Sequence, residues 1–268
     1  MTDVAYSEES DFSEKLSILG DISHWVTEVM DGAEVRRSLE IGGSGGLLAG
    51  LYAERWGHTI CTDIVHWDLR YQGQAMKLLG EKFSRNGYQL PISLMNYIPS
   101  DAQELFFRDN WFDVVFSLNA FEHIPDPAKA LREAIRTTRP GGVIYLRFDP
   151  VWTADSGSHF LHRINDPWAH LVCDDDEIAA IMQANGASED EIQSYRSDMN
   201  RRPVSYYRDT LPKIVDDLGC TMVFSTAWSG VVDQSFLTHP NLIKAASKWG
   251  LEPDDLLIRG FQFVIKKG

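Results

Sequence analysis

The chain has 268 residues, of which 44% are apolar, enough to bury a core in one large domain or two small ones. Its 39 acidic and 25 basic residues give a formal net charge of -14, the wrong sign for following a nucleic-acid backbone or an anionic membrane. The N-terminal segment lacks the pattern of a secretory signal, and no apolar run is long enough to span a bilayer. Cys61, Cys173 and Cys220 form no C-x-x-C pair. We therefore expect a cytoplasmic protein with neither nucleic acid nor membrane as a partner.

The predicted elements follow one another in a regular alternation from residue 35 onward. Residues 1–34 are predicted to form a helical cover, with Ile18, Ile22, Trp25, Val26 and Val29 on one face. Short apolar runs then predict strands, and longer helical patterns predict the helices between them. The strands are predicted over residues 35–41, 58–64, 91–97, 111–118, 143–149, 220–228 and 256–266. The helices are predicted over residues 47–56, 67–85, 126 to the Pro-Gly-Gly that follows, and 206–218. Such alternation is typical of a parallel sheet with helices on both faces.

Two segments interrupt the alternation and are predicted to be insertions near one end of the sheet. They cover residues 150–205 and 229–255. We expect a single domain made of a core at 35–149, an insertion that acts as a lid at 150–205, and a C-terminal helix and strand pair within 206–268.

A glycine-rich stretch lies between two acids, in "SLEIGGSGGLLAGLYAERWGHTICTDI" at residues 38–64. Glycines after a strand let the backbone turn sharply and let a ligand approach the main-chain N–H groups. In an open parallel sheet this first turn lies beside the ligand-binding crevice. Asp63, at the end of the second strand, is placed to accept both hydroxyls of a ribose. The stretch therefore predicts a nucleotide-like ligand.

Glu40 distinguishes among such ligands. Its carboxylate would be repelled by a pyrophosphate but would stabilise an amino or sulfonium group. Counted from Gly42, the third and sixth positions of the dehydrogenase fingerprint hold Ser44 and Leu47 instead of glycine. An NAD-dependent dehydrogenase is therefore disfavoured, although it stays an alternative, as does a non-catalytic nucleoside-binding protein on the same fold.

With "EIGGSGG", the chain resembles the class I methyltransferases that use S-adenosylmethionine (SAM), with Ser44 where the family usually has a central glycine. The resemblance extends to Asp63, to "SDAQEL", and to "FDVVFSLNAFEHIPDPAKALREAIRTTRPGG", and covers about residues 35–149. It implies a Rossmann-like, doubly wound α/β fold: a seven-stranded, mostly parallel sheet with an antiparallel last strand and an inserted acceptor-binding cap. The cofactor is expected to be SAM, bound by Glu40, Gly42, Gly43, Ser44, Gly46, Asp63, Ile64, Asp101, Ala102 and Asn119.

The candidate catalytic bases are histidines, because methyl transfer to a hydroxyl is assisted by a base that removes the hydroxyl proton near neutral pH. His123 follows the fourth strand, and the first insertion adds His159 and His162 in "DSGSHFLHRINDPWAHLV". We take His159 as the first candidate base and His162 as the second. Roles in packing or in capping turns are the alternative. The interleaved His, Trp and Arg residues suit a lid over a small polar acceptor, such as a sugar or another hydroxylated metabolite, with nitrogen or carbon as alternative acceptor atoms.

An acidic cluster at residues 174–177 could bind a hard cation, but its position before "IAAIM" favours a helix N-terminus. No metal site is therefore assigned. The oligomeric state is open, a homo-oligomer included.

Overall fold

The computed structural model of the chain describes residues 8–230 and 234–268. Its strands, numbered in chain order, are β1 Arg37–Ile41, β2 His58–Asp63, β3 Met95–Pro99, β4 Phe112–Leu118, β5 Thr138–Phe148, β6 Thr221–Ser229 and β7 Ile258–Lys266. Within the described residues they form one seven-stranded sheet in the order β3-β2-β1-β4-β5-β7-β6. Strands β1 to β5 pair in parallel, and β7 runs antiparallel to both β5 and β6. This confirms the predicted Rossmann-like fold.

The helices cover the sheet and build the segments that interrupt it. They are α1 Glu8–Met30, α2 Leu47–Trp56, α3 Trp67–Arg70, α4 Ala75–Arg85, α5 Pro127–Thr137, α6 Leu161–Ile164, α7 Ala169–Val172, α8 Asp175–Ala184, α9 Glu189–Ser197, α10 Leu211–Asp217, α11 Gln234–Leu237 and α12 Pro240–Trp249. A π-helical turn at Tyr206–Thr210 leads into α10, so the predicted helix over 206–218 has two parts. None of the described helices has both the length and the apolar character needed to cross a membrane.

The order of the strands fixes where a ligand can bind. Chain order reverses between β1 and β4, which are neighbours in the sheet. In open parallel sheets the loops at the carboxyl ends of two such strands diverge and leave a crevice. All seven residues of β4 are buried, as expected for a strand covered on both faces. The sheet therefore presents a rigid edge from which the loops after β1, β2 and β4 project.

Three predicted boundaries were wrong, each for a local reason. The helix predicted over 67–85 is broken into α3 and α4, because Gln72 and Gly73 adopt positive φ angles of 53° and 77°. The third strand begins at Met95, after a short 3₁₀ turn at Ile92–Leu94. The helix α5 ends before the Pro-Gly-Gly, and β5 already begins at Thr138, which pairs with Phe112.

Helix α1 forms a cover over the sheet. Ile18, Ile22 and Val26 are buried in one core cluster with residues of α2 and of the sheet. The Asp21 carboxylate accepts hydrogen bonds from the Tyr145 hydroxyl at 2.6 Å and from Gln262 Nε2 at 2.8 Å, which fixes α1 against β5 and β7. Part of the predicted cover, residues 1–7, lies outside the described residues.

The two interrupting segments pack against each other. Trp168, Ile178 and Leu242 are buried in a shared core, separate from the cores on the two faces of the sheet. The Trp168 indole Nε1 donates to the Leu256 carbonyl at 3.2 Å, and Asn241 Nδ2 donates to Asp166 Oδ2 at 2.9 Å. We call residues 150–205 together with 234–257 the insertion lobe. The second predicted insertion also includes residues 231–233, which lie outside the described residues.

Candidate active site

The glycine-rich turn after β1 is tied to the end of β2. Gly43 N donates to the Thr62 carbonyl at 2.9 Å, and Ser44 N donates to Asp63 Oδ2 at 2.8 Å. The other carboxylate oxygen of Asp63, Oδ1, accepts from Val65 N at 2.8 Å. Asp63 therefore holds the turn in shape, a role that the sequence did not reveal.

Two of the glycines are required by close approach or by backbone conformation. Gly42 has φ 71°, and a Cβ there would overlap the Ala120 Cβ. A Cβ on Gly43 would lie 2.5 Å from Glu40 Oε2. Ser44, which stands where the family usually has glycine, has φ 50°. Its hydrogen bond to Asp63 accounts for how a residue with a side chain is held in this conformation.

Glu40 is a buried carboxylate without a full set of partners. The residue is 3% exposed, and its Oε2 has no hydrogen-bond partner within residues 8–230 and 234–268. Burial raises the pKa of Glu40 to about 8, and the opposing effects of hydrogen bonds with the Ala49 backbone and Cys61 and of the Lys15 charge are smaller. A buried carboxylate of this kind is stabilised by a cationic ligand.

A cavity of about 560 Å³ opens beside Glu40. Of the predicted cofactor residues it is lined by Glu40, Gly42, Gly43, Ser44 and Asn119. Its other walls were not predicted, because they come from helices that the turn meets only in the folded chain. They include Asp11 and Lys15 of α1, Trp67 and Tyr71 at α3, and Lys82 of α4.

Two of the lining residues, from different helices, form an ion pair. Lys82 Nζ lies 2.5 Å from Asp11 Oδ2, which joins α4 to α1. No motif in the sequence links these two helices, so their meeting follows from the docking of α1 on the sheet.

The remaining predicted cofactor residues lie at neighbouring strand ends without lining this cavity. Gly46, with φ 80°, starts α2. Asp63 ends β2, and its carbonyl accepts from Ser100 N at 2.9 Å, which brings Asp101 to the same edge. Ile64 is 73% exposed, and Ala102 packs partly against the core. Their predicted contacts with ribose and adenine stay predictions.

Two of the three candidate bases meet, and the third lies elsewhere. The rings of His123 and His159 are 4.9 Å apart between centroids, although the residues are far apart in the chain. Burial lowers the pKa of His159 to about 4, so its imidazole is neutral at physiological pH. His162 is exposed on α6, with its Nε2 3.7 Å from Glu191 Oε1.

A second cavity, of about 370 Å³, lies between the loop after β4 and the insertion lobe. His123 and His159 line it, together with Phe160, Asp198 and Met199. The loop after β4 contributes to both cavities, because Asn119 lines the first cavity and His123 lines the second.

The acidic cluster at the start of α8 has the structural role that the sequence favoured. The Asp174 side chain accepts from the N–H groups of Asp176 and Glu177, and the Glu177 side chain accepts in return from Asp174 N at 2.9 Å. This is a capping box.

Comparison with known proteins identifies the class. Residues 39–146 match the methyltransferase domain family. An uncharacterized methyltransferase of Mycobacterium sp. strain JLS is 29% identical over 143 residues, which is 53% of this chain and 49% of that protein. The ubiquinone/menaquinone biosynthesis C-methyltransferase UbiE of Idiomarina loihiensis is 33% identical over 129 residues, 46% of this chain and 48% of its own. The chain thus spans about half the length of the curated relatives it matches.

The fold also has solved counterparts. The crystal structure of a candidate sarcosine dimethylglycine methyltransferase from Galdieria sulphuraria superposes with a TM-score of 0.55 at 17% identity, covering 97% of this chain and 87% of that one. These comparisons assign residues 39–146 to a class I SAM-dependent methyltransferase domain. The predicted methyltransferase family, enzyme class and cofactor are confirmed for this part of the chain.

The residues present fit that cofactor. The unpartnered Glu40 Oε2 suits the ammonium of its amino acid part, and Gly43 leaves space that any Cβ would fill. The glycine turn and Glu40 face the same cavity, so one ligand can contact both.

Proposed function

We propose that this chain transfers a methyl group from SAM to a hydroxyl oxygen of a small molecule, such as a sugar or a secondary metabolite. The observation that carries the proposal is the buried Glu40 carboxylate beside the glycine turn, whose Oε2 has no hydrogen-bond partner among the described residues. When bound, SAM supplies an electrophilic methyl group on a sulfonium. The residues of this chain bind and orient the reactants and exclude water, because in-line displacement depends mainly on alignment.

The second cavity supports a small acceptor. Its volume of about 370 Å³ is in the lower part of the range usual for small-molecule sites. It lies against the insertion lobe, which therefore has the position of a lid. Polar walls at Ser158, Asp190 and Asp198 suit a hydroxylated compound.

We propose His159 as the first candidate base for the acceptor hydroxyl, since its Nε2 is buried and has no hydrogen-bond partner in the described chain. His123 is the neighbouring candidate. His162 stays a prediction as the second choice, although it lies outside the lining of the cavity. Replacement His159→Ala should lower kcat by about 10²–10⁴-fold with SAM affinity changed less than twofold.

Calorimetry tests the cofactor step directly. SAM and S-adenosylhomocysteine should bind with 1:1 stoichiometry, and NAD should not bind. Tight NAD binding would reverse the proposal. Incubation with methyl-labelled SAM and a panel of hydroxylated compounds, followed by mass analysis of the product, then shows whether oxygen, nitrogen or carbon receives the methyl group.

A further inference from the structure

Glu122 is a buried carboxyl group that lacks hydrogen-bond partners among the described residues. The residue is 0% exposed, and neither of its carboxylate oxygens has a hydrogen-bond partner among the residues described. The Nε2 atom of His123 lies 3.9 Å from Glu122 Oε1, too far for a hydrogen bond. A buried carboxylate in this state is costly, unless it takes up a proton or a cation binds to it.

Two imidazoles, each with a ring nitrogen free to bind a ligand, lie beside this carboxylate. His123 Nδ1 lies 2.9 Å from the Asp198 carbonyl, which can only accept, so Nδ1 holds the proton and Nε2 has a lone pair. The His159 ring likewise bonds to the Pro150 backbone, while its buried Nε2 has no partner within the described parts of the chain. Metal-ligating histidines are usually oriented in this way, with the second ring nitrogen donating to a backbone carbonyl.

We propose that Glu122, His123 and His159 bind a divalent transition-metal ion. One ligand atom from each of the three lies within 4.8 Å of the others. Around a tetrahedral ion with bonds of about 2.0–2.1 Å, ligand atoms are about 3.4 Å apart. The pair now at 3.9 Å needs to close by about half an ångström, and a pair at the 4.8 Å limit by about 1.4 Å. Two histidines and one carboxylate favour a zinc-like ion and leave a coordination position open.

The site lies where an acceptor would bind, so its role rests on the proposed function. Glu122 and His123 follow Asn119 of the cofactor cavity by three and four residues, and His123 and His159 line the second cavity. An ion there would take the acceptor hydroxyl in its open position and lower the pKa of that hydroxyl. In the metal-bound protein the two imidazoles would act as ligands, the hydroxyl proton would pass to solvent water, and the ion rather than His159 would stabilise the deprotonated oxygen.

Cobalt binding tests the site without the cofactor. Protein is freed of metal with a chelator, dialysed and titrated with Co²⁺ in the absence of SAM, and the visible absorption of the bound ion is followed. We expect one Co²⁺ per chain, displaced by Zn²⁺. The variants Glu122→Gln and His159→Ala should each weaken binding at least 100-fold. His162→Ala, which changes a histidine of the same lobe outside the cluster, should leave binding within twofold.

The outcomes separate the metal site from the methyl transfer. Absence of Co²⁺ binding by the unaltered protein, or equal binding by all three variants, overturns the proposal and leaves Glu122 as a protonated carboxyl. Glu122→Gln keeps the shape of the side chain, and a melting temperature at or above that of the parent shows that it folds. If Co²⁺ binds as expected but SAM does not, the proposed function fails and the metal site stands.

Discussion

Glu40 and Glu122 are two buried glutamates near the carboxyl ends of adjacent strands, and their neighbours differ. Glu40 lies within β1, opposite Phe116 of β4, and Glu122 lies four residues beyond the end of β4. Burial raises the pKa of both, and both have an oxygen without a partner among the described residues. Beside Glu40 are glycines and an open cavity, whereas Glu122 faces two imidazoles.

In the two proposals, the neighbours of a buried carboxylate select the cation that it binds. Glycines leave room for an organic ammonium, which needs space and a single charged acceptor. Imidazoles with free lone pairs add ligands for a metal ion, which needs several donors at short distance. Both glutamates have carboxylate oxygens without partners among the described residues, and this is the observation on which the two proposed ligand sites rest.

The largest expected effect is on the free energy of unfolding, and it tests whether the insertion lobe and the Glu40 cavity are independent of each other. Trp168→Ala removes a fully buried side chain from the core of the insertion lobe and should lower the free energy of unfolding by about 3–5 kcal/mol. Because His159 belongs to that lobe and the Glu40 cavity does not, Co²⁺ affinity should fall while SAM affinity stays within threefold. Urea unfolding measures the free energy of unfolding. Calorimetry well below the melting temperature measures the Co²⁺ and SAM affinities. Loss of SAM binding in the folded variant would show that the two regions are not independent.

The next effect concerns the ligand specificity of the two glutamates. Glu40→Gln should weaken SAM binding by roughly 1.5–3 kcal/mol, about 10- to 150-fold, since a charge-assisted interaction becomes a neutral one. Co²⁺ binding should be unchanged. Glu122→Gln is the matched control, and it should weaken Co²⁺ binding while leaving SAM binding unchanged. If both variants lose the same ligand, the distinction between the two carboxylates is wrong.

Part of this arrangement could be predicted from sequence because it is local. The segment at residues 38–63 contains most of β1, the glycine turn and Asp63. Its residue pattern predicts the strand and the sharp turn at the glycines, where Gly42 adopts a positive φ. His123 and His159 could be singled out as reactive residues. Their meeting with Glu122 could not, since it depends on how the insertion lobe folds back. Asp11 of α1 was missed for the same reason, because helix docking leaves no local signal.

A smaller effect is expected at Asp63. Asp63→Ala removes the acceptor for Ser44 N and Val65 N and the predicted ribose contact, so SAM affinity should fall by about 1–2 kcal/mol, 5- to 30-fold. Asp63→Asn keeps one side-chain oxygen and should lose less. Equal losses in the two variants would show that the carboxylate charge matters more than the hydrogen bonds that hold the turn.

The smallest expected effect is on pH dependence, and its sign follows from Glu40. The free protein holds this group with a pKa of about 8, above its usual 4.5. As pH rises from about 4.5 to 8, the unfolded chain releases the Glu40 proton while the folded protein keeps it, so the stability of the ligand-free protein progressively falls. Glu40→Gln should therefore raise the melting temperature of the ligand-free protein at pH 8 and leave it unchanged at pH 4.

Cofactor binding should show the complementary trend. An ammonium ligand favours ionised Glu40, so SAM binding should release a proton, and its affinity should rise by up to about tenfold between pH 6 and 7, where the SAM amino group stays protonated. Calorimetry in two buffers of different ionisation enthalpy measures that proton. In Glu40→Gln both the proton release and the pH dependence should disappear. A flat profile in the unaltered protein would mean that the ammonium does not meet Glu40, and the contrast with Glu122 would then have no chemical basis.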